Sequence, residues 1–294
     1  NSINGGFATA SSLATQFGKY SLFDFTLDQT RVYTFWAGLI GGCFLTMSTH
    51  GTDQYLVQRY LCTDRARNAV VALMTSGAIV LAQFIGFLFI GVLLFAFYQP
   101  FTDPGYATAA STAFPFTGGD RVFPDFITKH MPTGLSGLVV AAIFAAAMSS
   151  SLNAIAATAV NDLYKPFRPA QSDKHYLKVS HVLTLIWGIV QIGVALAVRN
   201  QPGSALSMAL SIASLINGPI LGVFLVGTLM KRVSQPPALI GMLVSLGSMI
   251  YVFLATKIAW TWYAFLGSVI TVVVAWAASF AFSALPLRSS APLR

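Results

Sequence analysis

Residues 69–98 read AVVALMTSGAIVLAQFIGFLFIGVLLFAFY, thirty positions without one charged side chain. As a helix rising about 1.5 Å per residue, this run exceeds the ~20 residues that cross about 30 Å of hydrocarbon. A second run, 258–287, is equally free of charge. The rest of the chain agrees: of 294 residues, 55% are hydrophobic and 9% charged, with a mean hydropathy of +0.70. Soluble domains carry about 25% charged residues. A water-soluble globular fold is therefore excluded, and the sequence predicts an all-α integral membrane protein.

Working outward, hydropathy marks seven transmembrane helices at about 33–60, 69–98, 135–162, 178–198, 206–230, 236–256 and 259–285. With residues 1–32 outside, eleven of the 17 basic residues fall on the inner side, among them Arg65, Arg67, Lys165, Arg168, Lys174 and Lys178. The positive-inside rule then places the N-terminus outside and the C-terminus in the cytoplasm of a multi-pass plasma (inner) membrane protein. Trp36, Trp260, Trp262 and Tyr263 lie near the outer ends, where aromatic side chains anchor, although packing between helices also accounts for single aromatics. A formal charge of +8 can signal nucleic acid, but these basic residues come in short clusters between apolar runs. That is the pattern of juxtamembrane loops, so the expected partner is the lipid bilayer and no nucleic acid.

Cys43 and Cys62 fit no metal or redox spacing and are expected to pack as small apolar residues. The chain opens on Asn1 with no signal-peptide pattern, so it reads as cut from something longer. The longest connection, 99–134, holds five prolines and is either a lid over an outward-facing cavity or a structured connector. Within it, Pro124 to His130 has the makings of a short helix.

Polar groups at membrane depth are expensive and therefore informative. The first cluster is Thr46-Met47-Ser48-Thr49-His50-Gly51-Thr52-Asp53-Gln54. It reads as a helix broken around Gly51 and facing a cavity, or as an ordinary helix whose hydroxyls bond back to its own carbonyls. Upstream, Gly38 and Gly42 form a GxxxG pair suited to close helix contact. The second cluster follows an alanine-rich stretch at 141–147: Ser149-Ser150-Ser151-Leu152-Asn153, whose hydroxyls suit a hard cation. The third places Ser207, Ser211, Ser214 and Asn217 at helical spacing above Gly218-Pro219, a polar stripe that faces the bundle or a cavity.

Three stretches resemble the sodium/solute symporter family: Gly51-Thr52-Asp53-Gln54-Tyr55 running on to Leu61, Gly137 to Tyr164 ending Asn161-Asp162-Leu163-Tyr164, and Asn217-Gly218-Pro219-Ile220-Leu221-Gly222. Phe23-Asp24-Phe25 and Tyr33-Thr34-Phe35-Trp36 look most like the branch of iodide, multivitamin and monocarboxylate carriers and their bacterial relatives. The resemblance implies Na⁺-coupled symport of a small solute by alternating access, with Na⁺ as the coupling ion. It implies two inverted five-helix repeats. Residues 1–32 would be an outer segment, 33–230 the second repeat including the outer loop 99–134, and 231–294 two peripheral helices and a cytoplasmic tail. The first repeat would lie before Asn1.

Carried over by position, the resemblance points to Thr46, Thr49 and His50 just before Gly51, and to Ser211, as substrate-binding residues. Sugar-carrying relatives use amide and aromatic side chains there, which argues against a sugar. The family's Na⁺ site is a hydroxyl pair after the alanine-rich stretch. Counted forward from Gly137 that pair is Ser149 and Ser150; counted back from Asn153 it is Ala146 and Ala147, with only the Ala146 backbone to offer. The two registers differ by three residues between Met148 and Asn153, which turns a helix by about 300° and shortens it by about 4.5 Å. Ser149 and Ser150 are favoured. Asp53, Gln58 and Arg59 would form an inner gate or serve as plain interfacial anchors.

Two other classes compete, along with a transport-inactive homologue. Seven spans with the N-terminus outside also describe a seven-helix receptor. A membrane enzyme is disfavoured: there is no HExxH, GxSxG or CxxC, no glutamate, and His50, His130, His175 and His181 are scattered.

Overall fold

A computed structural model describes residues 6–21, 23–53, 56–57, 60, 62–98, 119–148, 151–198, 204–231 and 233–284. All regular structure among them is helical. Five helices are long and apolar enough to cross a bilayer: Ala66–Tyr98, Asp173–Ala197, Ala205–Leu229, Gln235–Ala255 and Trp260–Phe282. The other two expected spans, 33–60 and 135–162, are built from shorter pieces, and these are the two that carry the first and second polar clusters. The chain divides into two compact units, Asn1–Thr102 with Leu206–Arg294, and Asp103–Ala205.

In the first unit, α1 (Gly6–Gln16) lies in the expected outer segment. Its Ala10 and Leu13 bury against Ala96 and Leu93 of α3 (Ala66–Tyr98), which follows α2 (Gly42–Thr52) in the chain. Phe7 meets Phe89, and Phe17 meets Phe95 edge-on at 5.6 Å.

The core of this unit is a seam of small residues. α8 (Ala205–Leu229) buries Ser214, Gly218, Gly222 and Val226, one every fourth residue, and α10 (Tyr263–Ala284) buries Ala264, Ser268, Thr271 and Ala275. A Cβ at Gly218 would stand 2.9 Å from the carbonyl of Tyr263, and one at Gly222 would strike Thr271. α9 (Gln235–Ala255) uses Gly241 in the same way, a Cβ there falling 2.6 Å from the Thr271 carbonyl. Ser245 of α9 donates to the carbonyl of Gly267 at 2.6 Å, as does Thr271 at 2.9 Å. In lipid, where apolar contact alone gives little drive, such close backbone approach and interhelical hydrogen bonds hold helices together. Helix α8 continues through Pro219, whose ring is accommodated because Gly267 opposite has no side chain.

In the second unit, the short helix expected at Pro124 to His130 is α4 (Val122–Lys129), with a Lys129–Asp125 ion pair along it. The Asp120 carboxylate accepts the backbone N–H of Ala205 at 2.7 Å. After α5 (Thr133–Met148), α6 (Ser151–Thr158) runs into a π-helical turn, Ala159–Tyr164, and packs on α7 (Asp173–Val198). Tyr164 and His175 close that packing through a 2.8 Å hydrogen bond between Oη and Nε2.

Candidate functional site

The first polar cluster forms one helical rod. A π-helical turn, Ala37–Gly41, leads without interruption into α2 (Gly42–Thr52). Thr34 starts the rod: its Oγ1 accepts the Ala37 N–H at 3.2 Å. Gly51 is helical, and the interruption falls at Asp53, which is extended at φ −77° and ψ 111°. The Asp53 carbonyl then accepts the N–H groups of Leu56 and Val57, restarting a helical turn. The hydroxyls around Gly51 bond back to the helix's own carbonyls: Thr49 to those of Leu45 and Thr46, both at 3.1 Å, and Thr52 to that of Ser48 at 2.8 Å.

At about 100° per residue, α2 divides its polar groups between two faces. Ser48 is fully buried and donates to the carbonyl of Asn217 on α8 at 3.0 Å, with Thr52 a turn below it. Thr46, Thr49 and His50 stand roughly opposite. Thr46 is exposed and the other two are half-buried. His50 Nδ1 pairs with the Tyr60 hydroxyl at 2.9 Å.

On α8, the Ser211 hydroxyl donates to the Ser207 carbonyl at 2.7 Å. Among the described residues no hydrogen bond joins Ser211 to Thr46, Thr49 or His50; the link between α2 and α8 is made instead by Ser48 and Asn217. Ser214, a turn below Ser211, is 1% exposed, and its Oγ has no partner among the described residues. Ser48 and Ser214 belong to the polar clusters read from the sequence, but neither they nor Tyr60 are among the expected contacts, since a hydroxyl's partner far along the chain leaves no local signal.

Two expectations need correction. Among the described residues a Cβ at Gly38 or Gly42 would meet nothing within 4 Å, so the GxxxG pair makes no close contact with them; Gly41 does, pressed against the Thr261 carbonyl. The π-helical turn widens the coil there, so a face drawn at 3.6 residues per turn selects the wrong glycine. Cys43 and Cys62 are free and exposed rather than packed.

Of the expected ion ligands, Ser149 and Ser150 lie outside the described residues, as do Gln58 and Arg59 of the expected gate. Ala146, near the end of α5, and Asp53 are both exposed.

At the head of the rod, a cavity of about 550 Å³ is lined by Phe23, Asp24, Thr34, Leu45 and Trp260, among others. Asp24, one of the lining residues, belongs to a doubled Asp-x-Thr turn. Asp24 accepts the Thr26 hydroxyl and N–H at 2.7 and 3.0 Å, Asp28 treats Thr30 alike, and Arg31 bridges both carboxylates. The threonine hydroxyls and N–H groups, with Arg31 adding to them, hold both carboxyls below the usual carboxylate range. The Ala259 N–H donates to the Gln29 carbonyl at 2.8 Å, tying this turn to the α9–α10 connection.

An all-helical chain with five spanning-length helices, a small-residue seam and a polar, interrupted rod is a multi-pass membrane protein. A model of the sodium:solute symporter family matches residues 6–245, and the chain belongs to that family. It is 28% identical to a sodium/sialic acid symporter of Aliivibrio fischeri over 92% of this chain and 53% of that one. It is 31% identical to a sodium-dependent multivitamin transporter of Oryctolagus cuniculus over 82% of this chain and 38% of that one. The human sodium-coupled monocarboxylate transporter 1 is 29% identical over 87% and 42%. The chain thus spans about half the length of these relatives or less. A solved substrate-bound, outward-open structure of a Na⁺-coupled sialic acid symporter superposes with a TM-score of 0.71 at 26% identity, covering 96% of this chain and 57% of that one. The receptor reading falls with the family assignment.

Proposed function

We propose that this chain works as part of a Na⁺-coupled symporter for a small organic carboxylate, moving it by alternating access. Residues 33–230 act as one five-helix repeat and 231–294 as peripheral helices, with the N-terminus outside and the C-terminus in the cytoplasm. Thr46, Thr49, His50 and Ser211 contact the solute; Ser149 and Ser150, with the Ala146 backbone, hold Na⁺; Asp53, Gln58 and Arg59 gate the inner mouth. Ion and solute are coupled because each binds one conformation better than the other.

The observation that carries this reading is the split of α2 into two polar faces. One is bonded to α8 through Ser48, while among the described residues the face bearing Thr46, Thr49 and His50 makes no hydrogen bond to α8. A polar helix face costs too much at membrane depth to be kept without use. The solute class follows from two of the relatives, whose names specify sialic acid and monocarboxylates, and from His50, the one ionisable side chain among the proposed contacts. The test is uptake of labelled monocarboxylates and sialic acid by cells producing the protein, with external Na⁺ or choline. Na⁺-dependent accumulation is expected; identical uptake in the two media overturns the reading and leaves a homologue without coupled transport.

A further inference from the structure

We propose that the groove between the π-helical turn Ala159–Tyr164 and α7 binds an anionic phospholipid. The groove lies wholly within the unit Asp103–Ala205 and has a volume of about 730 Å³. Leu163 and Phe167 wall one side, and Val182 and Trp187 of α7 the other. These walls are open: Phe167 is 81% exposed and Leu163 61%.

Two cations stand among the lining residues, Arg168 and Lys178. Neither forms an ion pair among the described residues, and the nearby acids Asp162 and Asp173 do not line the groove. The segment bearing Arg168 is held in place. The Tyr176 hydroxyl donates to the Arg168 carbonyl at 2.9 Å, the Arg168 N–H donates to the Tyr164 carbonyl at 3.0 Å, and Lys165 sits over the Tyr176 ring.

Dimensions select the occupant. Lys178 and Trp187 are nine residues apart on α7, or about 14 Å along its axis, close to the ~15 Å of hydrocarbon in one leaflet. A phosphodiester at Arg168 and Lys178 therefore leaves its acyl chains alongside Val182 and Trp187. Free phosphate would satisfy the cations and leave the apolar wall unused. A zwitterionic lipid brings its own ammonium to the two cations and gains less from them. Basic pockets between membrane helices take anionic headgroups for this reason. The site shares no residue with the proposed solute contacts and stands whether or not the chain transports; under the orientation proposed above it faces the cytoplasmic leaflet.

The protein is reconstituted in phosphatidylcholine vesicles containing equal mole fractions of either dibrominated phosphatidylglycerol or dibrominated phosphatidylcholine, and bromine quenching of Trp187 is taken as wild type minus Trp187→Phe. At about 1 kcal/mol per cation, two cations predict about a thirtyfold preference for the phosphatidylglycerol, lost in Arg168→Gln/Lys178→Gln and kept in Arg168→Lys. Circular dichroism confirms that the variants are folded. Equal quenching by both lipids, a preference that survives the double variant, or abolition of quenching by millimolar inorganic phosphate overturns the proposal, the last in favour of a free-phosphate site.

Discussion

The Ser48 hydroxyl reaches across 169 positions of sequence to the Asn217 carbonyl, at 3.0 Å. Both helices at this junction carry proposed solute contacts, so the bond sets the spacing between them. Removing it in Ser48→Ala should cost about 0.5–1.5 kcal/mol, the range for interhelical hydrogen bonds in membranes. Ser48→Val should cost more, because the site is fully buried and the extra methyl has no room. Thermal unfolding in detergent measures both; a valine variant as stable as the alanine one would show that the helices separate freely.

Glycines of α8 give an internal contrast. A Cβ at Gly222 strikes Thr271, while one at Gly227 meets nothing within 4 Å among the described residues. Gly222→Ala should destabilise by about 1–3 kcal/mol through overpacking. Gly227→Ala should be neutral or stabilise by up to about 1 kcal/mol, since alanine is the better helix former. Equal effects at the two positions would mean that the α8–α10 seam is looser than described.

These contacts also show what could be read in advance. The 69–98 and 258–287 runs declared themselves because length and lack of charge are local properties. The helix at Pro124 to His130 did too, ending within a residue of its expected end. Helix α1 was missed although Phe7, Ala10, Leu13 and Ala14 recur at helical spacing, because eleven residues are too few to cross a bilayer and invite a loop reading. The break expected around Gly51 falls two residues later, at Asp53, and the helix before it has the back-bonded hydroxyls of the alternative reading. Glycine permits a break without requiring one, and the backbone leaves the helix only at the extended Asp53. The contact glycine of the rod, Gly41, could not be chosen over Gly38 and Gly42 without knowing of the π-helical turn in which it lies.

The doubled Asp-x-Thr turn makes the outer segment sensitive to acid. Both carboxyls titrate below their ordinary value of 3.8 in the folded protein. Groups with a lowered folded-state pKa contribute in full above the unfolded value, and the contribution is lost as pH falls through the folded one. Amide-exchange protection at Thr26 and Thr30 should therefore hold down to roughly pH 4 and decline below it. Asp24→Asn should remove that dependence at Thr26 alone. Protection unchanged from neutral pH down to pH 2, with pH corrected for intrinsic exchange, would contradict the geometry.

If Ser149 and Ser150 hold Na⁺, Ser149→Ala/Ser150→Ala should raise the half-saturating Na⁺ concentration about tenfold or more, leaving the solute's apparent affinity at saturating Na⁺ little changed. Inserting three residues between Met148 and Asn153 should lower that concentration if the shortened register weakens the site. Uptake curves against Na⁺ concentration decide both. An alanine pair with unaltered Na⁺ dependence moves the ion elsewhere, the Ala146 backbone included.

His50 is the side chain on which the solute assignment turns. Its Nδ1 is fixed by the Tyr60 hydroxyl at 2.9 Å, so Tyr60 determines which ring nitrogen is free to meet a carboxylate. Tyr60 is a positioning residue in this scheme, and its loss should act on binding without removing the contact itself. Tyr60→Phe deletes one hydrogen bond worth about 1 kcal/mol, a roughly fivefold rise in KM with maximal uptake nearly unchanged. His50→Ala removes the contact, and a charge-assisted bond of about 2 kcal/mol predicts a rise of roughly thirtyfold. His50→Gln, which keeps a donor at similar reach, should recover part of it. A merely structural histidine would lower maximal uptake and thermal stability together and leave KM alone, and that pattern would remove His50 from the solute site.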